Sequence, residues 1–510
     1  LSLAAFCGIV LAFASCANED VAQNATGTEG DNDKNLTAFV AGDEATTRTS
    51  LDYDSGNFYW ETGDYIYVMD DNGVLQKSSN APTSKVASFK YMVPGKFTAS
   101  SNYKVYYLGK NSSGNSVTIS TTQSQTAPNN TAHFGDAGDY GTATATKVTG
   151  KTQFEFVLAH QPAYLVFQPY TSNFILRDCY LTKVEVSSDN DIAEKYTFDP
   201  TTSALDASTV TNGDKIVLTT SGSSSNPNGF PLTNSAASVT TNGAYVVIKP
   251  GTHTLKVRYW VKDIATNVEG TITKTYPSSS YASNTYYDMT ANLDVKNYDG
   301  NHYYMWDAQQ NYWSGHEWNS ASPWQPVLNG NSNSNYAQSN TDPRYYNEAF
   351  TYGADNKATH SPCSTLPNVN EMTWYAAKGD PRWDGDELWT TMGHLYKGGM
   401  WFLKRANITG FRADQAYDGT DWRTNENGNI RWSASQTLPS AADAGNYFYL
   451  PALGDYTSGW LNFVGRNGHY WSSSAASLTI GNAYGLGFGS GYVGVYYYYR
   501  YYGFRAGGFE

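Results

Sequence analysis

Charge is scarce in this sequence, and positive charge most of all. Only 15% of the 510 residues are charged, and Lys+Arg 33 against Asp+Glu 46 leaves a net charge of −13. An acidic chain without a long basic stretch has no electrostatic footprint for a phosphate backbone, which argues against nucleic acid as a partner. Cysteines are few: Cys7, Cys16, Cys179 and Cys363. Once a leader is set aside, Cys179 and Cys363 fall in different regions, which excludes a disulfide framework and a zinc cluster and leaves two small buried hydrophobes. The apolar run from Leu1 to Ala14 is too short to span a bilayer and has the length of a signal-peptide segment. Helix-period windows are missing before about residue 300.

What the chain does have is tyrosine, glycine and small polar residues, with 42 Tyr and 46 Gly. That composition suits strands and loops, and the length suits three or four domains of roughly 150 residues. Residues 16–35 are polar and aperiodic and read as a flexible tether. From about Leu36 to Asn297 the pattern is strand. "TLKVRYWVKD" alternates Leu255, Val257, Tyr259 and Val261 with Lys256, Arg258, Trp260 and Lys262, as a strand with one wet face would. "QFEFVLAH" repeats this with Phe154, Phe156 and Leu158, and Asp71-Asn72-Gly73 marks a hairpin. Two β-sandwiches are expected, 36–175 and 176–297, with a seam near 170–178.

Several segments carry resemblances. "FASC" before Cys16 resembles a bacterial lipobox, which implies an incomplete signal peptide over 1–15 and lipid on the Cys16 thiol; Glu19 and Asp20 resemble a surface-export signal. "TTRTSLDYDSGNFYWETGDYIYV", "FEFVLAHQPAYLVF" and "AYVVIKPGTHTLKVRYWV" resemble, in order, the fimbrillin family of pilus subunits. The resemblance implies two tandem transthyretin-like β-sandwiches, exported as an outer-membrane lipoprotein precursor and matured into fimbriae. It also implies cleavage after an N-terminal arginine, here Arg48, and acceptance of a donor strand from the neighbouring subunit.

After about Tyr298 the composition turns aromatic. "LPNVNEMTWYAAKGD" places Val369, Met372 and Ala376 at helical spacing, with Pro367 before and Gly379 after. "DELWTTMGHLYKGG" has Leu388, Met392 and Leu395 at the same spacing and predicts a second helix closing on Gly398. Short Trp- and Gly-rich strands follow, so 298–510 is expected to be α+β and the whole chain mainly β. "LPNVNEMTW", "YLPALG" and "YWSSSA…AYGLGF…RYYGFR" resemble the C-type-lectin fold of formylglycine-enzyme-like domains, and the ending resembles the variable proteins of diversity-generating retroelements.

No catalytic constellation, metal site or cofactor motif emerges, and no enzyme activity is expected. Formylglycine chemistry would need a cysteine pair where this region has Cys363 alone, and the calcium-binding triplets of sugar-binding lectins are missing. "DGDE" at 384–387 reads as an acidic helix start, and His316-Glu317 lacks the second His of a zinc protease. Gly489-x-Gly491-x-x-Gly494 matches a nucleotide fingerprint only formally, because its flanks are not strand and helix.

From Tyr484 to Gly503 there are eight Tyr and six Gly. Folded as a hairpin on a Ser490-Gly491 turn, this tail sets Leu486 opposite Val495 and Phe488 opposite Val493 on one face. The other face holds only Gly and Tyr. The retroelement resemblance implies a reason: randomising the first two bases of an Asn codon AAC gives Gly, Tyr or Ser and never a stop. Gly485, Gly487, Gly489, Tyr492, Gly494, Tyr496, Tyr497, Tyr498, Tyr499, Tyr501 and Tyr502 are therefore the expected ligand-binding, variable positions within a tail of about 460–505, in the vocabulary binding loops favour. Arg500 and Arg505 are expected to hold the loop through backbone carbonyls. The expected role is a pilus adhesin, at the tip because the C-terminus lies within the lectin-like region. Its ligand would be a host, bacterial or phage surface protein or glycan. A surface lipoprotein of a glycan-binding or uptake system, and a structural stalk or anchor subunit, are the alternatives.

Overall fold

The computed structural model describes residues 35–42, 50, 51, 53 and 58–510. The chain is mainly β, with 41% strand against 7% helix. Among the described residues no helix is long and apolar enough to cross a membrane.

The first region encloses its core with one eight-stranded sheet. Its first strand, Leu36–Ala41, runs parallel to Gln153–Phe156 and antiparallel to Phe89–Pro94. The alternating Phe154 and Phe156 turn inward with Phe39, Trp60, Tyr91 and Val105. The Asp-Asn-Gly turn forms as its chemistry demands. Asp70 Oδ1 accepts the Asn72 and Val74 N–H groups, both at 2.9 Å, Gly73 takes φ 72°, and Met69 pairs with Leu75.

The second region is a sandwich of two sheets. A three-stranded sheet of Ala244–Ile248, Ala163–Tyr170 and Thr285–Asn292 lies on one side. The strands Cys179–Ser188, Gly251–Asp263 and Glu269–Tyr281 lie on the other, and Phe167 meets Tyr259 across the core at 5.8 Å. The Ala163–Tyr170 strand places Leu165 and Phe167 in the second core, and Tyr106, Val117, Ile119 and Tyr140 join it from earlier in the chain, so the stretch before residue 175 contributes to both cores. Composition could not mark this, since both cores use the same alternating aliphatic and aromatic residues.

The third region stacks the helix Val369–Lys378 on a six-stranded sheet. Asn368 caps the helix and forms a reciprocal capping box with Glu371. In the sheet, Tyr303–Tyr304 pairs with Phe504–Arg505, joining the two ends of the region. Gly468–Ala475, Asn482–Gly489, Tyr492–Tyr499 and Ile430–Ser433 follow in that order.

The expected second helix is instead a hairpin of Arg382–Thr391 and His394–Leu403. Met392 and Gly393 both have positive φ (49° and 79°), the signature of a tight primed turn, and Trp389 pairs with Tyr396. Leu388 and Met392 are helically spaced by coincidence; Thr390 and Thr391 favour the extended chain. "DGDE" therefore lies on a strand, at a bulge between Asp384 and Leu388. This hairpin also docks the third region on the second. Glu387 pairs with Thr271 and Leu388 enters the second core, so a ten-stranded sheet runs through both. The face of Gly251–Asp263 expected to be wet is covered as a result: Lys256 is 9% exposed and Arg258 6%.

Candidate ligand-binding surface

The terminal hairpin has the register its alternation predicts. Asn482–Gly489 and Tyr492–Tyr499 turn at Ser490-Gly491, with Leu486 opposite Val495, Phe488 opposite Val493 and Gly487 opposite Gly494. Tyr484, Leu486, Phe488, Val493 and Val495 are fully buried against the helix and the third core. Tyr497 shares this inward side, opposite Tyr484, and is half-buried, so it leaves the outward set.

On the outward side the tyrosine rings lie over the glycines. A Cβ added at Gly487 would fall 2.3 Å from the Tyr498 hydroxyl, at Gly494 2.3 Å from the Tyr496 ring, and at Gly489 2.9 Å from the Tyr492 ring. None of these glycines needs a left-handed backbone. Each is a seat for a ring, and Gly489 and Gly494 could take a side chain if the ring above swung away. Gly485 differs: its Cβ would meet the Tyr470 carbonyl at 2.8 Å, and backbone cannot swing aside.

The face is divided along its length. In the middle, Tyr498 packs on a small separate cluster of the third region, with Trp306, Phe350, Cys363, Trp471 and Phe504. Its ring lies 4.7 Å from that of Phe504, and burial holds its hydroxyl well above the usual tyrosine value. Tyr498 is thus a packed residue in a face the sequence presents as uniformly free. Burial pushes the Cys179 and Cys363 thiols up to about 12, and among the described residues neither forms a disulfide.

At the turn end the face is open. Asn467 donates to the Tyr492 hydroxyl at 2.8 Å, and the Arg431 guanidinium sits 4.0 Å over the Tyr492 ring. Arg431 is exposed on the edge strand Ile430–Ser433, opposite Gly494. At the other end Tyr499, which shares the side of Val495 and Tyr497 but is not covered, stacks on Tyr501 at 5.2 Å, and both are exposed. Beside them the 476–481 loop presents Leu478, 79% exposed, and Ile480, 84% exposed. The Glu426 carboxylate holds this loop by accepting from the Leu478 and Thr479 N–H groups and the Thr479 hydroxyl. Tyr502 is half-buried beneath Tyr499 and Tyr501.

The two arginines are holders, as expected. Arg500 is buried, donates from Nε to the Asn482 carbonyl at 3.1 Å, and lies 4.6 Å from the Trp306 ring centroid. Arg505 donates to the Asp299 carbonyl and carboxylate, both at 3.0 Å. Arg431, Leu478 and Ile480 escaped sequence reading. Arg431 lies far from the tail in sequence; Leu478 and Ile480 do carry a signal, two bulky apolar residues in a Ser/Thr/Gly loop.

The arrangement offers aromatic faces, hydroxyls, aliphatic side chains and one cation, the chemistry of contact and hydrogen bonding. Among the described residues no group of three or more His, Cys, Asp or Glu side chains is placed to hold a metal ion. Cys16 and Arg48 lie outside the described residues.

No family model matches the chain, and no curated protein does. Similar solved structures exist. One is a protein provisionally named as a cell adhesion protein from Bacteroides ovatus ATCC 8483, 13% identical over 50% of this chain and 93% of that one, TM-score 0.31. A second is a fimbrial protein from the same strain, 13% identical over 58% of this chain and 56% of that one, TM-score 0.27. A third is the fimbrial anchor protein Mfa2 from Porphyromonas gingivalis, 10% identical over 47% of this chain and 82% of that one, TM-score 0.21.

Proposed function

We propose that this chain is a cell-surface pilus adhesin that binds its ligand, without catalysis, through the open ends of the terminal Gly/Tyr face. The observation that carries this reading is the exposure of Tyr499, Tyr501, Leu478 and Ile480 at the end of a hairpin whose Tyr484, Leu486, Phe488, Val493 and Val495 are fully buried. Large rigid side chains held on a packed scaffold bind at low entropic cost. On this reading the third region is a C-type-lectin-like domain, and its tail is diversified to meet many protein or glycan ligands.

The two preceding regions serve assembly, as transthyretin-like units. The strand Leu36–Ala41 ends seven residues before Arg48 and fills an interior lane of its sheet, with Phe39 and Ala41 fully buried. A cut after Arg48 in a lipoprotein anchored through Cys16 would free that strand, and a neighbouring subunit would replace it. The closing residues are tied into the third region: Glu510 accepts from Arg405 N–H at 3.0 Å and from Tyr375 at 2.9 Å. On this reading the subunit sits at the pilus tip, where its terminal face meets the ligand.

The test replaces Tyr492, Tyr496, Tyr499 and Tyr501 together by Ser and measures adhesion and pilus incorporation separately. Lost adhesion in normally assembled pili supports the reading; unchanged adhesion overturns it. Blocking Arg48 with Ala should prevent incorporation, and normal pili built from the uncut variant would overturn the assembly half.

A further inference from the structure

The second feature that points to a ligand lies away from the tail, where the second and third regions meet. The strand Gly251–Asp263 turns Lys256 and Arg258 away from its own core, and the third region covers them. Between the two remains a cavity of about 240 Å³, lined by Lys256, Arg258, Lys404, Asp384, Trp401 and Thr275 among others.

The cavity holds more donor capacity than the protein uses. Arg258 gives one guanidinium nitrogen to Asp384 Oδ1 at 2.8 Å and Thr271 Oγ1 at 2.7 Å, while its buried Nε has no hydrogen-bond partner among the described residues. The Lys256 ammonium has three hydrogens and, among the described residues, one acceptor, the Pro439 carbonyl. Lys404, half-exposed at the rim, donates to the Gly445 carbonyl at 3.1 Å. Buried donors left unpaired are uncommon in folded proteins and call for an explanation.

Charge and shape narrow the choice. Three cations face one wall carboxylate, 3 − 1 = +2, in a chain whose net charge is −13. Glu387 stands behind Asp384, bound to Thr271 and Thr273, and offsets part of that excess. The remaining demand suits one negative charge better than two. Trp401 supplies a flat wall, fixed by its Nε1 donating to Asp384 Oδ2 at 3.1 Å, and the Thr273 and Thr275 side chains also line the space. An aromatic wall with neighbouring hydroxyls and cationic donors suits a ring that is apolar on its face and polar at its edge.

We propose that this cavity binds a carboxylate-bearing ligand the size of one sugar ring, an acidic monosaccharide unit. Its carboxylate would meet Arg258 Nε and Lys256, with the ring on Trp401 and Lys404 closing the rim. The site is independent of the terminal hairpin and of the adhesin reading.

The test titrates the full chain with sodium glucuronate, with glucose and inorganic phosphate as comparison ligands at constant ionic strength, by calorimetry and thermal shift. Glucuronate should bind saturably and raise Tm, whereas glucose should do neither. Lys404→Gln, at the half-exposed rim, should weaken glucuronate roughly tenfold without lowering the unliganded Tm, as loss of one charge-assisted hydrogen bond requires. Lys256→Met, which keeps the aliphatic stem, should abolish binding. Equal behaviour of glucuronate and glucose, or wild-type affinity in both variants, overturns the proposal. Phosphate binding without glucuronate binding also overturns it, leaving an inorganic-anion site.

Discussion

The strand Gly251–Asp263 and the terminal hairpin present the same two-residue alternation, and the molecule uses their outward faces in opposite ways. On the strand, the face carrying Lys256 and Arg258 is covered by the third region and meets Asp384. On the hairpin, the face carrying Gly and Tyr is covered only in the middle and stays open at both ends. Alternation tells which side chains share a face, and nothing about what lies over it. The chemistry of each face fits its fate. Charged residues in register demand one partner with matching charge, whereas uncharged tyrosines tolerate many.

The largest effect that would sharpen this contrast is expected inside the hairpin. Phe488→Ala removes a fully buried ring in contact with Phe402 and Tyr470, and should cost about 3–5 kcal/mol in a denaturant titration. Next comes the covered strand. Arg258→Gln leaves the Asp384 carboxylate buried without its ion-pair partner and should cost about 3 kcal/mol. Pairing it with Asp384→Asn should recover most of that loss in a double-mutant cycle.

A smaller effect concerns pH. Burial first, and the Asp384 carboxylate second, push the Glu387 carboxyl up to about 7, against an ordinary value near ~4.3. The groups facing it are Asp384, Arg258, Thr271, Thr273 and Lys274. The folded state therefore holds a proton that the unfolded chain releases. This contribution is greatest below pH ~4.3, falls as pH rises toward 7, and is level above. Glu387→Gln should consequently gain stability relative to wild type across that window, read as a Tm difference that grows from pH 4.5 to 7.5. The smallest effect belongs to the open face. Tyr496→Ser should change stability by no more than about 0.5 kcal/mol, because its ring rests on Gly494 at the surface.

Much of this contrast was legible in the sequence, and the reasons are local. The helix Val369–Lys378 and the hairpin register follow from spacing and turn residues a few positions apart. The 382–403 hairpin was hidden because Leu388, Met392 and Leu395 satisfy a helical period, although Met392 falls in the turn between two strands. Long-range facts had no local trace. The burial of Lys256 depends on Pro439, 183 positions away, and the packing of Tyr498 depends on Trp306 and Phe350. The roles of Cys16 and Arg48 rest on motif alone.

The central claim is that the open positions of the tail are set by what they touch outside the molecule, and the buried ones by packing. Sequencing the tail codons of this gene across a population of cells tests it most directly. The account predicts substitutions at Tyr492, Gly494, Tyr496, Tyr499 and Tyr501, with residue 494 staying small wherever Tyr496 is kept, because the two overlap. Tyr484, Leu486, Phe488, Val493 and Val495 should stay fixed. An invariant tail, or one that changes as often at Leu486 and Phe488 as at Tyr496 and Tyr499, would contradict it.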